Sequence, residues 1–165
     1  MPNRTRKWIG GDFQEPARNE GGIVLCGGCL ESGICQYGLK SESLDDEDTA
    51  QFEIVCPAVH EGGPGVAHGG WTAAVLDEVL GHVPLLFGSL SVTGTLTVHY
   101  VKPVPLERAL LARAWVDRRD GEKSFVSGEL VLASSGALLA TGTAVLIERD
   151  GEAHFGGFQE WLAEQ

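Results

Sequence analysis

Between Thr93 and Glu148 apolar and polar residues alternate through four runs, and the last three are separated by stretches long enough only for a turn. TGTLTVHYV places Leu96, Val98 and Tyr100 at every second position before Pro103 and Pro105 stop it. ALLARAWVD follows, then a turn at Asp120-Gly121, then KSFVSGELVLA, a turn at Ser134-Ser135-Gly136, and ALLATGTAVLIE. Asp-Gly and Ser-Gly between alternating apolar runs are hairpin signals. Strands joined that way run antiparallel, so the second half must be a sheet. It needs a cover for its apolar face.

The cover is supplied upstream. AQFEIVCP, Ala50 to Pro57, is a fifth strand, and after the loop HEGGPGVA comes GPGVAHGGWTAAVLDEVLGHV, Gly63 to Val83, with helical spacing. Pro84 is expected to end this helix or to lie just beyond its end. Strand, helix, then four strands is the order of an α+β fold with one helix on one face of an antiparallel sheet. Residues 1–22 read as a loosely held arm, 23–148 as the folded domain and 149–165 as a tail. Within the tail, FQEWLAEQ reads as a short helix; within the domain, the acidic SESLDDED reads as a loop after a Gly- and Cys-rich segment.

At 100° per residue the helix sorts into three faces. Thr72, Val75, Leu76, Val79, Leu80 and Val83 form the side that packs on the sheet. Trp71, Glu78 and His82 form a second. Gly70, Ala73, Ala74, Asp77 and Gly81 form a third, small throughout except for one carboxylate. Two readings fit that third face: close helix packing with Asp77 solvated at its margin, or a shallow groove whose ligand meets Asp77. In the second, the amides of Gly69 and Gly70 at the helix start lack intrahelical partners, and their missing side chains admit a ligand oxygen. The helix dipole favours negative charge there. Amide donors for an oxyanion, together with a carboxylate, are the parts an acyl-transfer hydrolase requires.

Composition narrows the function classes. The chain has 165 residues with 43% hydrophobic and 21% charged, which suits one folded domain, and a net charge of −11 that opposes sequence-independent nucleic-acid binding. MPNRTRKWIGGDF lacks the apolar core of a secretory signal, and the run from Trp71 to Leu90 is broken by Asp77, Glu78, His82 and Pro84. A cytoplasmic protein that contacts neither nucleic acid nor membrane is the expectation. Cys26, Cys29, Cys35 and Cys56 are then expected as reduced thiols. Cys26, Cys29 and Cys35 with Cys56 or His60 would make a zinc set, but no second close pair is present, so no metal is expected.

The string GPGVAHGGWTAAVLDEVLG resembles the hotdog-fold acyl-CoA thioesterases of the phenylacetate-pathway and mammalian thioesterase-superfamily type. Their G-x-x-H-G-G motif is followed, eight residues after the first Gly of the pair, by Asp or Glu; Gly69 and Asp77 keep that spacing. TLTVHYVKPVP resembles the family's strand ending in Tyr-x-x-Pro, and CGGCLESGICQYGL the Cys-x-x-Cys opening of some members, with Cys35 near their usual Asn. The resemblance spans about residues 50 to 148.

It implies a long central helix wrapped by a curved antiparallel sheet, paired into a homodimer, or a dimer of dimers, with each active site shared between subunits. The substrate is an acyl-CoA or acyl-carrier thioester, hydrolysed without a cofactor. Asp77 is implied as general base or nucleophile, and the Gly69 N–H as the donor that polarises the thioester carbonyl. On one helix those residues are about 12 Å apart, which is why two chains are needed. His68 either orients substrate or caps the helix; Thr93 either holds the nucleophilic water or is an ordinary strand residue. Relatives place Asn or Gln where this chain has Gly62 and Gly63, leaving His60 and Glu61 as candidates to stand in. Gly70, Arg113, Arg118, Arg119, Lys123 and Lys102 are candidates for the CoA moiety, against ordinary turn charges balanced by Asp117, Asp120 and Glu122. Trp71, Leu85, Leu86 and Phe87 fit an acyl pocket or the core equally well. The competing functions are a non-catalytic acyl-CoA sensor or assembly module and, less favoured, a hotdog dehydratase. Counting from His60, the dehydratase Glu and Pro positions hold Ala74 and Gly69.

Overall fold

The computed structural model describes residues 18–165. Six strands are present: β1 (Leu39–Leu44), β2 (Ala50–Val55), β3 (Ser91–Tyr100), β4 (Ala109–Asp120), β5 (Lys123–Leu132) and β6 (Leu138–Glu148). The long helix α1 (Gly69–Leu86) falls between β2 and β3, and a second helix, α2 (Gly151–Ala163), closes the chain. All strands join one antiparallel sheet in the order β1-β2-β4-β5-β6-β3. The three strands linked by turns, β4, β5 and β6, are therefore neighbours. β3 instead crosses to the far edge and pairs with β6.

α1 lies across β3, β4, β5 and β6. Every residue assigned to its sheet-packing face (Thr72, Val75, Leu76, Val79, Leu80 and Val83) is buried. All of them but Thr72 share one core cluster with Phe52 and Ile54 of β2, Leu110 of β4, Leu130 of β5 and Leu146 of β6. Each such side chain removed from water is worth about 1.5–3 kcal/mol. The floor under the helix is glycine. Gly128 and Gly142 are cross-strand partners, and a Cβ at either would fall 2.9 Å or 3.2 Å from a Leu80 methyl. Bare backbone at this spot lets α1 settle close to the sheet.

Two expectations need correction, and the readings of the two ends of the chain gain detail. The helix does not stop at Pro84: it runs to Leu86 with Pro84 buried in its last turn. Proline there forfeits only its own N–H bond to Leu80, and the helix ends before further bonds are disturbed. Ser89 N–H then donates to the Pro84 carbonyl at 2.8 Å. Ser41 to Leu44, read as part of an acidic loop, is strand β1. Its residues do not alternate by hydropathy because an edge strand buries little, and Glu42 faces inward to ion-pair rather than to pack. The remaining acidic residues do turn: Asp45 Oδ1 accepts the amides of Glu47 and Thr49, both at 2.9 Å. The tail helix begins at Gly151, ahead of FQEWLAEQ, because Asp150 caps it by accepting the Ala153 amide at 2.8 Å. Finally, most of the N-terminal arm lies outside the described residues, but Arg18 and Val24 form a β-bridge and Arg18 reaches Glu42 at 2.9 Å. Residues 18–22 are thus held against β1.

Candidate active site

The loop before α1 fixes how the helix begins. His60 Nε2 lies 3.0 Å from the Gln36 carbonyl, and the His60 carbonyl accepts the His68 amide at 2.8 Å. Glu61 Oε1 accepts the Gly65 amide at 2.7 Å. Both residues shape the loop; neither reaches Asp77 or Thr93. His68 is the N-cap of α1, its Nδ1 accepting the Gly70 amide at 2.9 Å. Of the two roles weighed for His68, capping is the one this geometry contains.

With Gly70 engaged by the cap, the next free donor is at Gly69, whose N–H finds no acceptor among the described residues. The Gly69 carbonyl accepts the Tyr100 hydroxyl at 3.0 Å, and the Tyr100 ring lies 3.6 Å from where a Gly69 Cβ would stand. The exposed N-terminus of α1 therefore presents one unpaired amide beside an exposed phenol. Tyr100 was legible only as the end of a strand. Its signal was its place in the alternation with Leu96 and Val98, which puts it on the helix side of β3.

Two turns further on, Asp77 is partly exposed and its Oδ1 accepts the Thr93 hydroxyl at 2.8 Å. A regular strand would point Thr93 to the same side as Thr95, away from the helix. The register of β3 on β6 explains why it does not: Thr93 pairs with Leu146 and Thr95 with Val145, so Gly94 is an extra residue in a bulge. The bulge puts Thr93 on the face of buried Leu146. Gly94 is suited to it, since a Cβ there would stand 2.9 Å from Ile147 Cδ1 and 3.3 Å from the Val145 carbonyl oxygen.

The second helix face is also resolved into contacts. His82 is buried with its Nδ1 2.7 Å from Glu42 Oε2 and its Nε2 3.0 Å from Glu78 Oε1. Burial alone would lower its pKa, but hydrogen bonds and charge from Glu42 and Glu78 outweigh it and push it up to about 9. Trp71 is buried near the His60 ring, and its indole N–H has no hydrogen-bond partner among the described residues.

The basic candidates stand elsewhere. Arg113 is 3.5 Å from Glu129 across β4 and β5. Arg118 lies over the Phe125 ring at 3.4 Å and 4.0 Å from Asp120, and Arg119 is 5.7 Å from the Phe87 ring. Lys123 opens β5 and Lys102 follows β3, both exposed. None of the five contacts Asp77, Thr93 or Gly69 among the described residues. In the same residues no three His, Cys, Asp or Glu side chains are grouped to hold a metal ion. No helix there is long and apolar enough to cross a membrane.

A six-stranded antiparallel sheet laid over one long helix, in this strand order, is the hotdog fold, and the solved structures it resembles are thioesterase-superfamily proteins. Residues 64–137 match the family model described as thioesterase superfamily. Among curated proteins, rat acyl-coenzyme A thioesterase THEM4 is 30% identical over 119 residues, covering 70% of this chain and 51% of its own length. The chain thus spans about half the length of the curated relatives it matches. A phenylacetic acid degradation-related protein from Ralstonia eutropha JMP134 superposes with a TM-score of 0.61 at 24% identity, over 77% of this chain and 93% of that one. A thioesterase protein from Streptococcus pneumoniae TIGR4, crystallised with coenzyme A, gives 0.59 at 16% identity over 63% and 83%. Two more structures of that description carry an aspartate-to-alanine and a threonine-to-alanine change, sixteen positions apart.

Proposed function

We propose that the chain hydrolyses acyl-CoA thioesters in a site shared by two copies of itself. The observation that carries the reading is the pair of unlike groups on α1: at its start the Gly69 amide, unpaired among the described residues, and, two turns away on the small face, a carboxylate held by a threonine. The amide would donate a hydrogen bond to the thioester oxygen as negative charge develops on it, assisted by the helix dipole; donors of this kind are typically worth about 3–4 kcal/mol in the transition state. Asp77 would supply the attack, either directly on the carbonyl carbon or by taking a proton from water. The Thr93 bond fixes one carboxylate oxygen and leaves the other for that task. Turnover in isotope-labelled water separates the two routes, since only direct attack leaves label in Asp77.

Eight residues of helix put the two groups about 12 Å apart, beyond the span of one thioester. A second chain, placing the partner subunit's Asp77 near this Gly69, removes the difficulty. Among the described residues β3 is an edge strand with an unpaired outer side, which suits it to continue the sheet into a neighbour. The likeness to a CoA-bound protein supports the substrate class. The changed aspartate and threonine of that protein have the spacing of Asp77 and Thr93, which supports the pairing of roles.

The test is thiol release from a panel of acyl-CoA esters. Asp77→Asn should remain a folded oligomer with turnover lowered by roughly two orders of magnitude or more. Near-normal turnover in that variant overturns the assignment. Binding across the panel without thiol release from the unaltered protein replaces hydrolysis with sensing, and a monomer at micromolar concentration removes the shared site.

A further inference from the structure

The motif Cys26-Gly27-Gly28-Cys29 takes no part in the reaction proposed above. It folds as a 3-10 turn, Gly27–Cys29, closed by the Cys29 amide donating to the Cys26 carbonyl at 2.9 Å. Side chains three apart on so tight a turn eclipse one another, and the two sulfurs are 3.6 Å apart. Their exposure differs: Cys26 is open to solvent and Cys29 is buried. The buried sulfur is also held in place. It accepts the Gln36 amide at 3.3 Å, while the Gln36 side chain donates to the Gly28 carbonyl at 2.8 Å. The other thiols, Cys35 and Cys56, are buried, and burial pushes Cys56 up to about 11. The pair is therefore one accessible thiol with a second fixed in contact behind it, which is the arrangement of an attacking and a resolving cysteine. It has no third His, Cys, Asp or Glu to make a metal set among the described residues.

We infer that Cys26 and Cys29 form a redox-active dithiol whose substrate is a low-molecular-weight disulfide. The Cys26 thiolate attacks one sulfur of R–S–S–R, forming a mixed disulfide and releasing R–S⁻, which takes the proton Cys26 gave up to solvent. Cys29, losing its own proton, then displaces the second R–S⁻ and closes the Cys26–Cys29 bond. In sum the two cysteines lose two hydrogens, R–S–S–R gains them, and two R–SH leave. Partial burial and the adjoining Cys29 sulfur raise the Cys26 thiol above its usual range, with Glu78 adding to the effect and the Gly28 amide opposing it. Exchange should accordingly be slow at neutral pH and quicken as pH rises. The same shift makes Cys26 a poor leaving group, so the closed disulfide resists attack at Cys29.

The test exposes the full, folded chain to oxidised glutathione and reads intact mass and mapped peptides. The unaltered protein should lose the mass of two hydrogens, retain no glutathionyl group and yield a Cys26–Cys29 linked peptide. Cys29→Ser should keep one glutathionyl group on Cys26, and Cys26→Ser should take up none. The inference is overturned if the unaltered protein stays reduced, accumulates glutathione on Cys26, or joins Cys26 to Cys35 instead. Because the unaltered protein decides the matter, a variant that fails to fold does not shelter it. The readout is independent of thioester hydrolysis, so either proposal can fail alone.

Discussion

His82 offers a perturbation whose size follows from the structure. Both ring nitrogens face carboxylates, at 2.7 Å and 3.0 Å, and only the imidazolium can donate from both. Its pKa of about 9 compares with 6.5 for the ordinary residue. Each unit of difference is worth about 1.4 kcal/mol, so the charged form favours the folded state by about 3 kcal/mol. The sign follows from a raised pKa in the folded state. That stability is present in full below about pH 6.5, declines above it, and is gone once the pH has risen through about 9. At roughly 2–4 °C per kcal/mol for a chain of this size, the melting temperature should fall by roughly 6–12 °C across that window on this account alone. His82→Gln keeps a polar, hydrogen-bonding side chain but does not titrate. Melting curves for both proteins, taken from about pH 6 to pH 9.5 at one protein concentration, isolate the effect from all other titrating groups. The variant should be the less stable at low pH, and the two curves should converge as pH rises. Parallel curves would refute the doubly bonded imidazolium.

Two further outcomes follow from single contacts. Thr93→Val removes the hydroxyl at the same shape and leaves Asp77 without that partner; a hydrogen bond to a charged group is worth about 1.5–3 kcal/mol. Steady-state thiol release should then show kcat lowered by about ten- to a hundredfold with KM little changed, and an unchanged kcat would strip Thr93 of its role. Gly128→Ala would set a methyl 2.8 Å from the Arg113 carbonyl oxygen and 2.9 Å from a Leu80 methyl. Overpacking of this kind costs about 1–3 kcal/mol, so chemical denaturation should register a loss, and equal stability would mean that α1 sits further from the sheet.

What the sequence revealed depended on whether one local rule governed the residue. β4, β5 and β6 were legible because their turns and alternation speak for the same structure, and α1 because its buried face repeats with helical period. Pro84 misled because its effect depends on distance from the helix end, which the residue itself does not carry. β1 was hidden for an electrostatic reason: Glu42, the inward residue of a polar strand, is matched by His82 of α1, forty positions away, and by Arg18. Nothing near Glu42 in the chain announces either partner. The crossing of β3 to pair with β6 was equally out of reach, being a choice among topologies rather than a property of a segment.

The candidate site repeats the point at finer scale. Asp77 stood out because a carboxylate among Gly and Ala on one helix face breaks the composition of its neighbourhood. Thr93 did so only through the family resemblance, because simple alternation places it on the outer side of β3 with Thr95 and Thr97. Only the extra residue at Gly94 turns it inward, and a bulge is defined by the partner strand, not by the strand that carries it. The same logic accounts for the exposure of Asp77. Leu76 and Leu80 press α1 onto the bare backbone of Gly128 and Gly142, so the sheet side of the helix is filled. The small face, carrying Ala73, Ala74, Asp77 and Gly81, stays partly open. On that partly open face, the side-chain hydrogen bond that orients the carboxylate among the described residues comes from the hydroxyl that the bulge delivers.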